Sequence, residues 1–244
     1  MDPCIYKLHI ENEQEHWWYK ARREIISSII SKFVFKNNKL KILDFGAGSG
    51  ANTIALSHYG EVYVYEKNKN ALLLLKKRFE KISNIFVLDT INENIFFDLI
   101  IASDVIEHIK NDDEVIEFFS KVLKNDGNIL ITVPAYNFLY TERDKVLGHF
   151  RRYNSNMLKK KTNKYFKIIK LSYYNFFLFF LSIVHFVFLK LFKIKSLITS
   201  PENTPNSFFN NLFYKIFSSE KFFLKHLNFP VGASIVCLAK KINK

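Results

Sequence analysis

Cysteine, proline and glycine are scarce in this 244-residue chain, which holds two, five and seven of them. Cys4 and Cys237 lie far apart and form neither a metal-binding nor a disulfide pattern. Because disulfide frameworks belong to oxidising compartments, a reduced, intracellular setting is expected. The first residues also lack the basic and then apolar order of a signal peptide, so we predict a cytoplasmic protein.

Acidic residues are almost absent from the later part of the chain. Residues 1–150 hold 19 Lys or Arg and 21 Asp or Glu, whereas residues 151–244 hold 17 Lys or Arg and only Glu202 and Glu220. This C-terminal part has a net charge of +15 and carries 15 of the 26 phenylalanines. Such a composition suits an anionic membrane surface or an anionic, lipid-like substrate. A codon bias toward Lys and Phe is an alternative, but it does not explain the loss of acids.

Three of the few glycines lie in one stretch, Lys41 to Gly50, which is typical of a buried strand running into a glycine-rich turn. Ala51 then begins a predicted helix. Glycines let backbone N–H groups come close to a ligand. The helix N-terminus behind them carries partial positive charge and unpaired donors. A nucleotide-like or carboxylate-bearing ligand is therefore expected over this turn.

Carboxylates end the first three predicted strands. Asp44 precedes the glycines, Glu66 ends the second strand and Asp89 ends the third. An acid in the first position suits a cationic ligand better than a pyrophosphate. A carboxylate after the second strand can accept hydrogen bonds from both ribose hydroxyls. Alternating strands and helices predict a doubly wound parallel sheet that binds this ligand at its carboxyl edge.

A dinucleotide is the alternative ligand. The spacing Gly46-x-Gly48-x-x-Ala51 fits the loose dinucleotide fingerprint, and Glu66 follows at the distance of about 20 residues that this fingerprint uses. The match is weak by itself because the motif is short. An NAD-dependent oxidoreductase therefore remains an alternative.

The ordered set of glycines and carboxylates from Lys41 to Pro134 resembles the class I methyltransferases that use S-adenosylmethionine (SAM). The resemblance implies SAM as cofactor and a Rossmann-like α/β fold. It also implies a seven-stranded, mostly parallel sheet with an antiparallel last strand, here with a helical, aromatic-rich insertion between the last two strands. The predicted cofactor-binding residues are Asp44, Gly46, Ala47, Gly48, Gly50, Glu66, Lys67, Asp89, Thr90, Ser103, Asp104 and Val105.

The segment Ser103-Asp104-Val105-Ile106-Glu107-His108-Ile109 follows the fourth predicted strand and resembles the cleft-lining segment of this family. In that resemblance His108 is a candidate base; its alternative role is a hydrogen-bonded histidine that shapes the loop. A subset of similar enzymes holds a divalent cation with an Asp/Glu-x-x-Glu-His cluster. Asp104, Glu107 and His108 form the matching alternative here, although no metal is expected.

Two further segments look like those of a methyltransferase branch of uncharacterised substrate, often linked to glycan or lipid-linked sugar pathways. One begins His16-Trp17-Trp18 in a predicted helix, and the other is 134–153, after the fifth strand. Adjacent arginines in the second suit bidentate binding of phosphate or carboxylate; pairing with the protein's own acids is the alternative. The candidate bases are His108, His149 and Tyr153. The predicted substrate-binding residues are His16, Trp17, Tyr136, Asp144, Arg151 and Arg152.

Four segments are predicted: an N-terminal helical lid (1–40), the SAM-binding core (41–174), a hydrophobic and basic helical insertion (175–229), and the last core strand with a tail (230–244). The insertion opens with a long uncharged run, part of which the sixth strand requires. We therefore predict peripheral membrane contact through 175–195 and 208–225, with a soluble cap or a transmembrane anchor as alternatives.

These features predict SAM-dependent methyl transfer to an O or N atom of a hydrophobic or lipid-linked acceptor at the inner face of a membrane. A phosphorylated or glycan-bearing lipid is one form that this acceptor could take. One alternative is a methyltransferase for a soluble small molecule, with the insertion as a lid. Another is a non-catalytic SAM-binding module. Nucleic-acid methylation is disfavoured because the Asp/Asn-Pro-Pro-aromatic sequence is absent after the fourth strand. No feature of the sequence specifies an oligomeric state.

Overall fold

A computed structural model describes residues 12–36, 38–191 and 204–242. Residues 1–11 of the predicted lid and residues 192–203 of the predicted insertion lie outside the described residues. In chain order the elements are α1 (Trp17–Phe33), β1 (Leu40–Phe45), α2 (Ala51–Leu56), β2 (Gly60–Tyr65), α3 (Lys69–Phe79), β3 (Ile85–Leu88), β4 (Phe97–Ser103), α4 (Asp112–Val122), β5 (Leu123–Pro134), α5 (Glu142–Leu147), α6 (Ser155–Thr162), β6 (Phe166–Tyr174), α7 (Phe179–Leu191), α8 (Ser207–Leu224) and β7 (Ser234–Lys241).

The strands form one seven-stranded sheet in the order β3-β2-β1-β4-β5-β7-β6. Strands β1 to β5 pair in parallel, and β7 runs antiparallel to both β5 and β6. The predicted fold class, a mostly parallel sheet with an antiparallel last strand, is confirmed. The two central strands β1 and β4 are buried as a parallel sheet covered on both faces requires; Leu99, Ile100 and Ile101 have no exposed surface.

Two helix boundaries differ from the sequence prediction. Helical periodicity predicts a helix from Glu11 to about Val34. Helix α1 instead begins at Trp17, because His16 is its N-cap and accepts a hydrogen bond at Nδ1 from the Trp18 backbone N–H at 3.2 Å. The sequence Asn125-Asp126-Gly127 predicts that the preceding helix, over 113–124, stops at a glycine. Helix α4 instead ends at Val122. Leu123 already pairs with Phe97, so the glycine lies within an irregular stretch of β5.

The amphipathic pattern predicts a second insertion helix over 208–217. In the structure this helix, α8, extends to Leu224 and packs along the N-terminal helix α1. Trp17 contacts the rings of Phe213 and Phe217 at 5.6 and 5.9 Å. The Trp17 backbone N–H donates to the side chain of Asn210 at 2.8 Å. Lys221 Nζ also pairs with a carboxylate oxygen of α1, on Glu24, at 2.7 Å. One face of α8 is therefore covered by α1.

Within the part of the chain that the structure describes, no helix combines the length and the hydropathy needed to cross a bilayer.

Candidate active site

The candidate site lies at the carboxyl edge of the sheet, between β1 and β4. These strands are neighbours, while β2 and β3 lie on one side of the pair and β5 lies on the other. Such a reversal of strand order leaves a crevice outside the strand ends, where doubly wound proteins bind their ligands. The glycine turn follows β1, the loop containing His108 follows β4, and 135–153 follows β5.

The glycine turn has two packed glycines, Gly46 and Gly50, and one open glycine, Gly48. Gly46, Gly48 and Gly50 have φ angles of 71°, 59° and 83°, a region that side chains other than glycine's rarely occupy. A Cβ on Gly50 would lie 2.6 Å from a ring atom of Phe79, whereas a Cβ on Gly48 would meet no protein atom within 4 Å. Gly48 therefore borders open space, which is the property a close ligand-binding glycine requires.

Glu66 connects this turn to β2 from a nearly buried position. Its Oε2 accepts the Gly48 N–H at 2.9 Å, and its Oε1 accepts the Asn68 N–H at 2.8 Å. Each carboxylate oxygen retains a further acceptor position for a hydroxyl group. A preorganised carboxylate beside an open glycine fits the ribose of an adenosyl cofactor.

Asp44 lies at the end of β1 with almost no exposed surface. Its Oδ2 accepts a hydrogen bond from Thr53 Oγ1 at 2.6 Å. Burial, opposed by this hydrogen bond, raises the pKa of Asp44 to about 6. A bound cation would favour the ionised form of this carboxyl group, so a sulfonium or ammonium group suits this position.

The third predicted carboxylate is more exposed than the first two. Asp89 follows β3, and its side chain is 70% exposed and pairs with Lys76 Nζ at 2.7 Å. Thr90 and Lys67 are also exposed. Ala47 is in the turn itself, where its backbone N–H donates to the Tyr65 carbonyl at 3.2 Å. Contact of these residues with the cofactor remains a prediction.

The N-terminal helix α1, predicted to be a lid, meets the end of β4 through a partly buried ion pair. Arg22 Nη1 donates to Asp104 Oδ2, and the guanidinium lies 4.2 Å from the ring centroid of Trp18. Asp104 has a φ of 55° and accepts Thr132 Oγ1 at its other oxygen, at 3.0 Å. This pairing connects α1 to the loop after β4, at the edge of the crevice.

The two residues beside Asp104 line the same strand end. Ser103 is the last residue of β4, and its hydroxyl lies 3.0 Å from that of Thr132 on β5. Val105 is nearly buried, and its methyl groups occupy the space that a Cβ on Gly46 would need. The loop after β4 and the glycine turn therefore pack closely, as two walls of one crevice.

Two histidines meet beyond this loop. The rings of His108 and His149 are 4.5 Å apart at an interplanar angle of 78°. His149 Nδ1 lies 2.8 Å from Oδ1 of Asp144, a buried carboxylate. Burial is the main cause that lowers the pKa of His108 to about 4, and the neighbouring His149 contributes. His108 is therefore uncharged at neutral pH.

Glu107 completes a cluster with these histidines. Its side chain has no exposed surface, and neither carboxylate oxygen has a hydrogen-bond partner among the described residues. Burial raises the pKa of Glu107 well above its usual range, which favours the neutral acid. Glu107, His108 and His149 offer ligand atoms within 4.8 Å of one another. Asp104, the third member of the alternative metal set, instead pairs with Arg22, and metal binding remains untested.

The adjacent arginines both pair with acids of the protein. Arg152 binds Asp144 through two hydrogen bonds, Nε to Oδ1 at 2.8 Å and Nη2 to Oδ2 at 3.0 Å. Arg151 Nη1 pairs with Asp112 Oδ1 at 2.9 Å. Fully buried Tyr153 donates its hydroxyl to Asp112 Oδ2 at 2.6 Å, and its pKa is raised by burial and by this carboxylate. These contacts order the segment after β5, while substrate contact remains a prediction.

The remaining predicted substrate residues fall at two places. His16 is nearly buried as the α1 N-cap, and Trp17 packs on α8, as described above. Tyr136, just beyond β5, has a φ of 59° and stacks on Tyr173 with ring centroids 5.1 Å apart. A Phe179 ring lies 5.5 Å from it. Of these three residues, Tyr136 alone follows a strand at the carboxyl edge.

Three polar partners carry no recognisable signal in the sequence. The three are Thr53, which donates to Asp44, Thr132, which donates to Asp104, and Asp112. Asp112 accepts a hydrogen bond from Tyr153 and forms an ion pair with Arg151. Helical periodicity is enough to place Arg22 toward the cleft or solvent. Its pairing with Asp104 depends on contact between segments 82 residues apart, which periodicity cannot specify.

A Rossmann-like sheet with an open glycine after β1 and a preorganised carboxylate after β2 defines a class I, SAM-dependent methyltransferase. The chain belongs to the methyltransferase family whose model, described as a methyltransferase domain, matches residues 17–168. SAM is thus the cofactor, and the dinucleotide alternative is not supported.

Comparisons with individual proteins agree with this class. A mitochondrial ubiquinone biosynthesis O-methyltransferase of Dictyostelium discoideum is 30% identical over 118 residues, covering 41% of this chain and 37% of that protein. The chain therefore spans only 37% of that relative's length.

Two solved structures share the fold. N-methyltransferase NodS of Bradyrhizobium japonicum WM9, in complex with S-adenosyl-L-homocysteine, has a TM-score of 0.53 at 15% identity, covering 65% of this chain and 80% of that one. Phosphoethanolamine N-methyltransferase 2 of Haemonchus contortus has a TM-score of 0.57 at 17% identity, with coverages of 90% and 52%.

Proposed function

We propose that this protein transfers the methyl group of SAM to an oxygen or nitrogen atom of a hydrophobic or lipid-linked acceptor, with His149 as general base. The observation that carries the proposal is the contact of His149 with buried Asp144 and with the ring of His108. When bound, SAM supplies an electrophilic methyl group on a sulfonium.

The pairing with Asp144 gives His149 the features of a base. A carboxylate at Nδ1 favours the tautomer that carries its proton there, which leaves Nε2 as an acceptor. The same carboxylate stabilises the imidazolium that forms when His149 takes a proton from the acceptor. Arg152 holds Asp144 from the other side, so this carboxylate is fixed in place. His108 adds no positive charge beside His149, because its lowered pKa keeps it neutral at neutral pH.

Cofactor binding is assigned to the other half of the crevice. Gly48 and Glu66 would hold the adenosyl part, and Asp44 would favour its positively charged part. Arg22 and Asp104 connect α1 to the edge of this region, where α1 would limit the access of water. Methyl transfer from a sulfonium to an acceptor atom is a displacement reaction. Much of its acceleration can come from alignment of the reactants, with effective molarities of about 10⁵ M or more in well-oriented systems.

The hydrophobic acceptor is inferred from the aromatic side chains beside the crevice. Tyr136 at the end of β5 contacts the rings of Phe138, Phe179 and Tyr173. Phe138 is 65% exposed, so these aromatic groups reach from solvent to the strand end. A similar protein named for ubiquinone biosynthesis and O-methylation is compatible with an oxygen acceptor, although it matches over only part of its length.

The test uses the purified protein, methyl-labelled SAM and a whole-cell extract, followed by partition between butanol and water. We expect the label in the organic phase. Label confined to water would favour the alternative, a methyltransferase for a soluble small molecule. Absence of any labelled product, with SAM still bound, would contradict the enzymatic proposal.

Histidine variants test the base. We expect His149→Ala to lower turnover by about 10² to 10⁴, the usual contribution of general acid–base catalysis, with SAM affinity unchanged. His108→Ala should lower turnover less, because His108 is a neighbour of the base rather than the base. Turnover is measured from the labelled product, and SAM affinity is measured by titration calorimetry. Unchanged turnover in His149→Ala would exclude this assignment.

A further inference from the structure

Two helices of the C-terminal part expose large apolar side chains to solvent. On α7, Phe180, Val184 and Phe188 recur at a spacing of four residues and are at least half exposed. On α8, Phe208 and Phe222 are 70% and 62% exposed. Single exposed apolar residues are ordinary, but repeated ones on adjacent helices indicate an interaction surface.

The two exposed stripes meet at the junction between β6 and α7. The rings of Phe177, just before α7, and Phe223, near the end of α8, lie 5.8 Å apart. Phe176 contacts Phe180 on α7 at 5.9 Å. We use the name apolar face for the exposed side chains Phe180, Leu181, Val184, Phe208, Leu212 and Phe222.

A buried glutamate fixes this junction. Glu220 of α8 has no exposed surface, and its two oxygens accept the backbone N–H groups of Asn175 and Phe177 at 2.7 and 3.1 Å. Asn175 has a φ of 56°, so this turn is held in an unusual backbone conformation. The start of α7 and the end of α8 are therefore connected by buried hydrogen bonds as well as by ring contacts.

The exposed charges that the described residues from 151 onward bring to the apolar face are of one sign, and Glu24 of α1, beside α8, is paired with Lys221. Among the described residues from 151 onward, Glu220 is the only acid, and it is fully buried, so this region presents no carboxylate to solvent. Lys215 is exposed on α8, three residues after Leu212 on the same side of the helix. Exposed apolar side chains with Lys215 among them, and with no exposed acid from the same part of the described chain, match an anionic lipid surface better than a second protein surface of mixed charge.

The apolar face also leads to the candidate site. Phe180 lies 5.8 Å from Phe179, which lies 5.5 Å from Tyr136 at the end of β5. A lipid held at the face would therefore reach the carboxyl edge of the sheet along aromatic side chains. We propose that the apolar face docks on an anionic lipid bilayer and delivers a membrane-resident acceptor to the crevice; the delivery rests on the proposed function, whereas the docking does not.

Vesicle flotation of the full chain tests the docking. The vesicles are phosphatidylcholine alone or phosphatidylcholine mixed with phosphatidylglycerol. We expect binding to the mixed vesicles, and weaker binding as salt rises and the Debye length falls from about 10 Å at 0.1 M to about 3 Å at 1 M. The double variant Phe180→Ser/Phe222→Ser should bind at least tenfold more weakly, equivalent to about 1.4 kcal/mol.

Matched variants separate docking from general effects. Phe96→Ser removes a phenylalanine that is 49% exposed at the opposite, amino end of β4, and it should bind vesicles as the unmodified chain does. Lys215→Glu should weaken binding to the mixed vesicles more than to neutral ones. Circular dichroism melting and SAM titration confirm that each variant is folded.

Several results would overturn the proposal. One is the absence of binding to the mixed vesicles. Another is binding of Phe180→Ser/Phe222→Ser to these vesicles as tight as that of the unmodified chain. A dimer in solution that this double variant dissociates would assign the face to a second copy of the chain. Vesicle binding without any methyl transfer would contradict the proposed function alone. Methyl transfer to extract without vesicle binding would contradict the docking alone.

Discussion

The open glycine Gly48 and the packed glycine Gly50 of the turn after β1 should respond differently to alanine. Both Gly48 and Gly50 have positive φ angles, so a Cβ at either costs roughly 1–2 kcal/mol in backbone conformation. At Gly50 the added Cβ would also lie 2.6 Å from Phe79 and 2.8 Å from Leu75, and such overpacking costs typically about 1–3 kcal/mol more. At Gly48 it meets no protein atom within 4 Å.

We therefore expect Gly50→Ala to lower the free energy of unfolding by about 2–5 kcal/mol. Gly48→Ala should lower it by only about 1–2 kcal/mol and should weaken SAM binding at least tenfold, because its Cβ enters the space assigned to the cofactor. Urea unfolding without ligand measures the first quantity, and titration calorimetry with SAM measures the second.

Gly148→Ala is the matched control. Gly148 has a φ of 79°, and a Cβ there would come no closer than 3.9 Å to its neighbour His108. This variant should lose the same backbone energy as Gly48→Ala and keep the SAM affinity of the unmodified chain. If Gly48→Ala binds SAM as tightly as Gly148→Ala, the cofactor does not lie against Gly48 and the reasoning is refuted.

Three other predictions follow from the charges of the site. SAM affinity should fall as pH drops below about 6, because Asp44 has a raised pKa and its ionised form favours a cation; in calorimetry Asp44→Asn should remove this dependence. Asp144→Asn should destabilise the fold by roughly 3–5 kcal/mol, since it leaves Arg152 without its buried partner. The pKa of Asp144 is lowered by His149 and Arg152 against the effect of burial, so this carboxylate stabilises the fold above its unfolded pKa, and the stabilisation is lost as pH falls through its folded pKa. In acid unfolding, the free energy of unfolding of Asp144→Asn should therefore fall less between the unfolded and the folded pKa of Asp144 than that of the unmodified chain. Finally, a chelator should leave turnover unchanged, and a loss that Mg²⁺ or Mn²⁺ restores would make Glu107 a metal ligand instead of a neutral acid.

Local patterns in the sequence were sufficient for the central part of the fold. The glycine turn, the carboxylates at strand ends and the continuous apolar run of β4 are each determined by neighbouring residues, and the predicted sheet is confirmed. Contacts between distant segments were not accessible in this way. The packing of α8 on α1 joins residues nearly two hundred positions apart, and neither helix carries a local signal for the other.

The segment after β5 illustrates the same limit for the candidate site. Adjacent Arg151 and Arg152 indicate anion binding, and sequence cannot distinguish a substrate phosphate from the protein's own carboxylates. In the structure they pair with Asp112 and Asp144, which lie on separate helices. One of those pairings positions His149, so arginine there acts on the candidate base through Asp144 rather than through a demonstrated substrate contact.

The position of β7 has a consequence for how the chain is made. This strand is the last element described, yet it lies between β5 and β6 and pairs with both. During synthesis β6 therefore emerges before the strand that joins it to the sheet. Until β7 arrives, the open edges of β5 and β6 are available for wrong pairing. Pairing with β7 also fixes Tyr173 and Tyr174 of β6 in the sheet. The stacking of Tyr136 on Tyr173 can therefore form only after β7 has been synthesised.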